Sequence, residues 1–202
     1  LAKIHLENGK PFIDAVRVSL RAILTSPSFL FHNVGSPQES ELDDYALATR
    51  LAFFLWRSPP DDKLLQAARN GRLRSNAEIL DTVERLIDDP KHQRFITDFT
   101  EQAFRIDEIN ATAPDKTLYP EYDERLGQAM VLETKLFFQE LIKENLGVAN
   151  LIKSDFTFLN RRLAEHYRIP DVSGQHMRRR ELPETSVRGG LLSQAGIHKI
   201  TA

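Results

Sequence analysis

The sequence predicts an all-α protein, and three observations carry that expectation. Apolar residues recur at helical spacing through most of the chain, as at Leu126, Met130, Glu133, Phe137 and Leu141, spaced 4, 3, 4 and 4. Stop signals such as Ser26-Pro27, Ser58-Pro59-Pro60 and Asp89-Pro90 cut that periodicity into helix-sized pieces. Alternating strand patterns are almost missing. The expected architecture is an irregular multi-helix bundle of roughly eight helices, with one irregular loop excursion near residues 169–184.

The elements follow in order. Pro11 opens a helix carrying Phe12, Val16, Leu20 and Ile23 or Leu24, which Ser26-Pro27 ends. Residues 34–41, with Gly35, Ser36 and Pro37, read as a linker. Asp43 or Asp44 starts a helix running to Trp56 or Arg57. Its face is Tyr45, Ala48, Leu51, Ala52, Leu55 and Trp56, and Phe53 and Phe54 add apolar surface on the far side, so it is expected to be covered all round. Asp61 caps a short helix ending at Gly71, and Ser75 to Glu78 has capping-box spacing. The next helices carry Ile79, Val83, Leu86 and Ile87, then Phe95, Phe99 and Phe104.

Residues 107–120 form the longest expected loop. The long helix through Glu133 follows, closed at Asn145-Leu146-Gly147. Ser154 or Asp155 is expected to cap a helix carrying Phe158, Leu159, Leu163, His166 and Tyr167. After the excursion, which has room for a short hairpin, Val187 to about His198 resumes a helix loosened by Gly189 and Gly190.

Composition narrows the function. The chain has 202 residues, 41% hydrophobic and 28% charged, so it can bury a core. Its net charge of −2 argues against a general nucleic-acid binder or a binder of acidic membranes. With no cysteine, there is no disulfide, no thiolate nucleophile and no covalent haem attachment within these residues. No apolar run approaches the ~20 residues that span a bilayer. There is no signal peptide in this segment, and the pattern at both ends suggests a fragment of a longer polypeptide.

No two of the six histidines stand at i, i+3 or i+4, so no local metal motif exists and no metal is assigned. Glu133 is the sharpest single residue, because a carboxylate on an apolar stripe needs a partner. It reads either as a general acid or base, or as half of a buried ion pair with Arg188, Arg50 or His166. The ion pair is the preferred reading. His166, at a helix end with Tyr167 and Arg168, is favoured there by the helix dipole alone. Arg188, followed by Gly189-Gly190, has the look of an anion-binding nest. Glu133, His166 and Arg188 are therefore the candidate site residues, whether functional or an ion-pair network. Arg178-Arg179-Arg180 reads as a solvated basic loop.

Several stretches together resemble a known family. They are AILTSPSFLF at 22–31, LAFFLWRSPPD at 51–61, Glu133-Thr134 with Phe137-Phe138, DFTFLN at 155–160, LAEHY at 163–167 and RGGLLSQA at 188–195. They resemble the helical planctomycete-specific domains of unknown function found beside c-type cytochrome domains in large exported bacterial proteins. Residues 1–37 look like the last helix of a preceding domain plus a linker. Residues 38–202 look like the central domain, expected to be truncated at its C-terminus. The family carries no assigned catalytic residues. The resemblance implies an exported, periplasmic setting and a redox-related role with an adjacent c-type cytochrome domain as partner. It places any haem c in that neighbouring domain, with no cofactor held here. Two other functions stay open: a structural or protein-interaction module without chemistry, and a ligand-binding helical domain.

Overall fold

The structure, a computed structural model, describes residues 2–31 and 42–201, apart from the side chain of Ser28. The described residues are mainly helical, as the periodicity predicts, and they also form one small two-stranded sheet. The chain divides into two compact units, residues 1–85 and 86–202. The expected linker at 34–41 lies outside the described residues.

The first unit begins with α1 (Ala2–Glu7), α2 (Phe12–Leu24) and the single turn α3 (Pro27–Leu30). Gly9, at φ +70°, makes the tight turn that folds α1 back on α2. Of α2, Ala15 is buried, while Phe12, Leu20 and Ile23 stay exposed.

α4 (Asp44–Trp56) starts where the sequence places it, with the Asp43 carboxylate accepting from the Ala46 amide at 2.6 Å. Its buried face is Asp44, Ala48, Ala52, Leu55 and Trp56. The expectation that it is covered all round is corrected. Tyr45 and Phe54 are 50% and 63% exposed, because the small residues Ala48 and Ala52 define the side that packs closely.

α5 (Asp62–Arg69) and α6 (Asn76–Asp88) complete this unit, and the division falls inside α6. Asp61 caps α5 through the Leu64 amide, and it also receives both terminal nitrogens of Arg85, at 2.8 and 3.2 Å. The same guanidinium sits 5.6 Å from the Trp56 ring. One arginine thus ties α4, α5 and α6 together. Half of the capping box also forms: the Glu78 amide donates to Ser75 Oγ at 3.2 Å.

The second unit is organised on α8 (Glu124–Lys143), which packs on α7 (Gln93–Phe104), β1 (Phe156–Leu159), α9 (Arg161–Tyr167) and α10 (Ala195–Thr201). Its buried positions include the whole stripe Leu126, Met130, Glu133, Phe137 and Leu141. Phe138 on the flank stacks on Phe99 of α7 with ring centres 4.7 Å apart, and Lys135 pairs with Glu101 at 2.8 Å. One core cluster gathers Ile106, Leu126, Met130, Leu159, Leu163 and Tyr167 among its members, and a second gathers Phe137, Leu141, Phe156 and Leu191.

Two expectations in this unit are corrected. The helix expected from Ser154 or Asp155 starts only at Arg161, capped by Asn160 through the Leu163 amide at 2.9 Å. Residues 156–159 are instead strand β1. The reason is non-local: β1 pairs antiparallel with β2 (Arg178–Glu181), from Phe156 opposite Glu181 to Leu159 opposite Arg178. The excursion at 169–184 therefore returns to an earlier strand and makes no hairpin of its own. The Arg179 guanidinium covers the Phe156 ring at 4.3 Å and pairs with Glu140 and Glu181, which anchors the basic run that the sequence reads as solvated.

The second correction concerns residues 187–194, which are not α-helical. A single 3-10 turn at Leu191–Ser193 precedes α10. Gly189 and Gly190 adopt φ +150° and +81°. A Cβ on Gly190 would stand 2.6 Å from the Ile152 carbonyl oxygen, and one on Gly189 would collide with the Ser154 carbonyl. These glycines do not loosen a helix; they let two backbones press together.

Candidate functional site

The buried centre of the second unit is polar. Glu133, only 1% exposed on α8, accepts a hydrogen bond from the Thr157 hydroxyl of β1 at 2.6 Å. Its other carboxylate oxygen accepts from the Tyr167 hydroxyl of α9, also at 2.6 Å. The Tyr167 oxygen in turn accepts the Ala195 amide at 2.7 Å, at the start of α10. One carboxylate and one phenol thereby join α8, α9, β1 and α10. Beside them, the Thr134 hydroxyl donates to Gln194 Oε1 at 2.7 Å, while Gln194 Nε2 is buried with no hydrogen-bond partner among the described residues.

The expected cationic partner of Glu133 is thus corrected: its bonding partners are two neutral hydroxyls. Of the cations considered, Arg188 is the one whose field lowers its proton affinity, and it does so without an ion pair. Burial dominates over Thr157, Tyr167 and Arg188 together, and lifts the Glu133 pKa from 4.5 to about 7. Burial and the Glu133 charge push the Tyr167 phenol above its usual range, so it serves as a hydrogen-bond donor and not as an acid.

Arg188 links this centre to an open cavity. Its guanidinium lies 3.9 Å from the centre of the Tyr167 ring. One terminal nitrogen donates to the Ser193 carbonyl at 3.0 Å, and its amide donates to Ser186 Oγ at 3.1 Å. The Gly189 amide donates to Ser193 Oγ at 2.8 Å, so the expected nest is filled by the chain's own serine.

The cavity has a volume of about 410 Å³. Leu126, Met130 and Pro114 supply apolar wall, and Arg188, His166 and Lys199 line it with Tyr122. Lys199 donates to the carbonyls of Ile109 and Thr112 and lies 5.1 Å from the Tyr122 ring. Burial lowers its pKa. The Tyr122 hydroxyl is buried without a hydrogen-bond partner among the described residues, and burial, helped by Asp123, raises its pKa. Gly127 makes room for it, since a Cβ there would stand 2.7 Å from that oxygen. His166 Nδ1 is 3.6 Å from a Glu121 carboxylate oxygen. Burial nevertheless lowers the His166 pKa, with Arg188 and Arg162 adding to it and Glu121 opposing.

Of the three sequence candidates, Arg188 and His166 therefore line one cavity, and Glu133 lies in the core beyond Tyr167. Sequence reasoning missed Tyr167 and Thr157 as partners, and Tyr122 and Lys199 as lining residues. Tyr167 stood beside His166 at the helix end; the other three carry no spacing signal. No group of three or more acidic or histidine side chains able to hold a metal occurs among the described residues. No helix among them is long and apolar enough to cross a membrane.

A mainly helical domain with a buried carboxylate–phenol centre beside a cavity is the class these features define. The chain matches PSD4, a family described as "Protein of unknown function (DUF1592)", over residues 42–169. It belongs to that family. No curated protein and no solved structure matches it.

Proposed function

We propose that this chain is a ligand-binding helical module of a larger exported bacterial protein, working beside a c-type cytochrome domain in the oxidation of a substrate. The observation that carries the binding role is the cavity of about 410 Å³, where Arg188, His166, Lys199 and Tyr122 converge over an apolar wall. That size and mixture suit a small molecule. The cytochrome partner and the planctomycete-type, periplasmic setting rest on the resemblance of the sequence stretches given above. In this reading Arg188 and His166 contact the ligand. Glu133 acts at one remove, as the buried carboxyl that Tyr167 relates to Arg188.

A screen of small molecules by thermal shift tests the binding role. Compounds that stabilise the chain should lose their effect in Ala195→Leu, which narrows the cavity. A screen without any such compound would remove the reading. The cytochrome association is tested separately, by haem staining of the complete polypeptide under denaturing conditions; no stained band would end it.

A second reading is favoured by one observation. Phe12, Leu20, Ile23, Phe29 and Phe31 of the N-terminal helical segment are each more than half exposed. That apolar surface suits an interaction module with no chemistry of its own.

A further inference from the structure

We propose that the cavity takes a small organic acid, with a carboxylate held by Arg188 and Lys199 and an apolar body against Leu126 and Met130. The proposal rests on the ligand-binding reading and names its substrate class.

The first argument is charge. Arg188 and Lys199 both line the cavity, and neither has an ion-pair partner among the described residues. Their contacts are to carbonyl groups and to aromatic faces. A guanidinium that gives one nitrogen to the Ser193 carbonyl keeps further N–H donors for an incoming oxygen pair. One carboxylate, Glu121, also lines the cavity, 3.6 Å from His166 Nδ1. The lining therefore carries two cations against that one carboxylate, in a partly desolvated place where burial already weakens the hold of Lys199 on its proton. An anionic group there would be attracted by both.

The second argument is preorganisation. Arg188 is fixed at its amide by Ser186, at its guanidinium by Ser193, and across its face by the Tyr167 ring. Gly189 and Gly190 clamp the following backbone against residues 151–154. Little side-chain freedom is left to lose on binding. An arginine held this way presents a planar donor set suited to a carboxylate.

The third argument is the apolar wall. Leu126, Met130 and Pro114 line the same cavity as the two cations. The apolar wall asks for a body of about one ring or a short branched chain. A bare inorganic anion would leave that wall unused.

The test is a titration of the 202-residue chain, followed by amide chemical shifts, with benzoate and phenylacetate against benzamide and phenylacetamide. The acids should bind at least tenfold more tightly than the matching amides, with shifts at Tyr122, Met130, Arg188 and Lys199. Arg188→Met and Lys199→Met should each remove most of that preference, weakening acid binding far more than amide binding. Arg188→Lys should restore part of it. The acid-to-amide ratio of the unmodified chain decides the matter even if a variant fails to fold. Equal binding of acids and amides would overturn the organic-acid assignment and leave the ligand-binding reading standing. Tighter binding of phenyl phosphate than of benzoate would overturn the carboxylate in favour of a phosphoryl group. Binding of none of these probes would overturn the inference, and the screen described above then decides the broader reading on its own.

Discussion

The guanidinium of Arg188 lies 3.9 Å from the centre of the Tyr167 ring, so a cavity-lining cation rests on the phenol that bonds the buried carboxylate. The arrangement lets Arg188 act on Glu133 through space while leaving its donors directed elsewhere. Arg188 lowers the proton affinity of both Glu133 and His166. Arg188→Met should therefore raise both pKa values. Carbon-detected titration of the Glu133 carboxyl and the His166 ring would measure this, and unchanged midpoints would contradict the coupling.

Stability should fall as pH rises. The folded-state pKa of Glu133 is raised from 4.5 to about 7, so the folded chain holds the proton more tightly than the unfolded one. The associated stability is fully present below about pH 4.5 and is lost as pH rises through about 7. The difference corresponds to on the order of 3 kcal/mol. Urea unfolding of the chain and of Glu133→Gln at pH 5 and pH 8 should show the slope in the first and a much weaker one in the second.

Tyr167→Phe removes one hydroxyl that serves two buried groups. Glu133 loses a donor, and the Ala195 amide loses its acceptor. A cost of about 2–3 kcal/mol is expected in the urea midpoint. A change within a few tenths of a kcal/mol would mean that the centre rearranges freely.

Gly190 has φ +81° and ψ 171°, a region open in practice to glycine alone. Gly190→Ala adds a collision with the carbonyl oxygens of Ile152 and Leu151. About 3 kcal/mol of stability should be lost. Thermal unfolding provides the readout, and an unchanged midpoint would show that the two backbones can separate without cost.

Trp56 is fully buried in the first unit, with Arg85 at 5.6 Å from its ring. Trp56→Ala should cost about 3–5 kcal/mol. The indole fluorescence of the unmodified chain should be blue-shifted, and a maximum typical of water-exposed indole would contradict the burial.

Much of the helical framework was legible in the sequence because its signals are local. Asp43 and Asp61 cap helices through amides three residues on, and the stripe on α8 follows from 3.6-residue periodicity. Glu133 stood out because one charge interrupts that stripe. Its partners were not legible, since Thr157 and Tyr167 lie 24 and 34 residues away and are neutral. A search for cations could not find them. The strand at 156–159 was missed for a related reason. Phe158, Leu159 and Leu163 fit helical spacing, and only pairing with residues 178–181 decides the backbone. The cavity depends on how residues 112–122 lie over α8 and α10, and no local pattern encodes that.

The β1–β2 ladder has a consequence for how this unit opens. It ties residues 156–159 to 178–181 and so closes everything between, α9 included, into a loop pinned at its neck. A helix of seven residues is too short to persist by itself, and α9 borrows its order from that closure and from the core beneath it. Tyr167 and His166 then cannot melt away while the ladder holds. Amide exchange in α9 should keep pace with exchange in β1, because the phenol, the carboxylate and one flank of the cavity share a single cooperative fate.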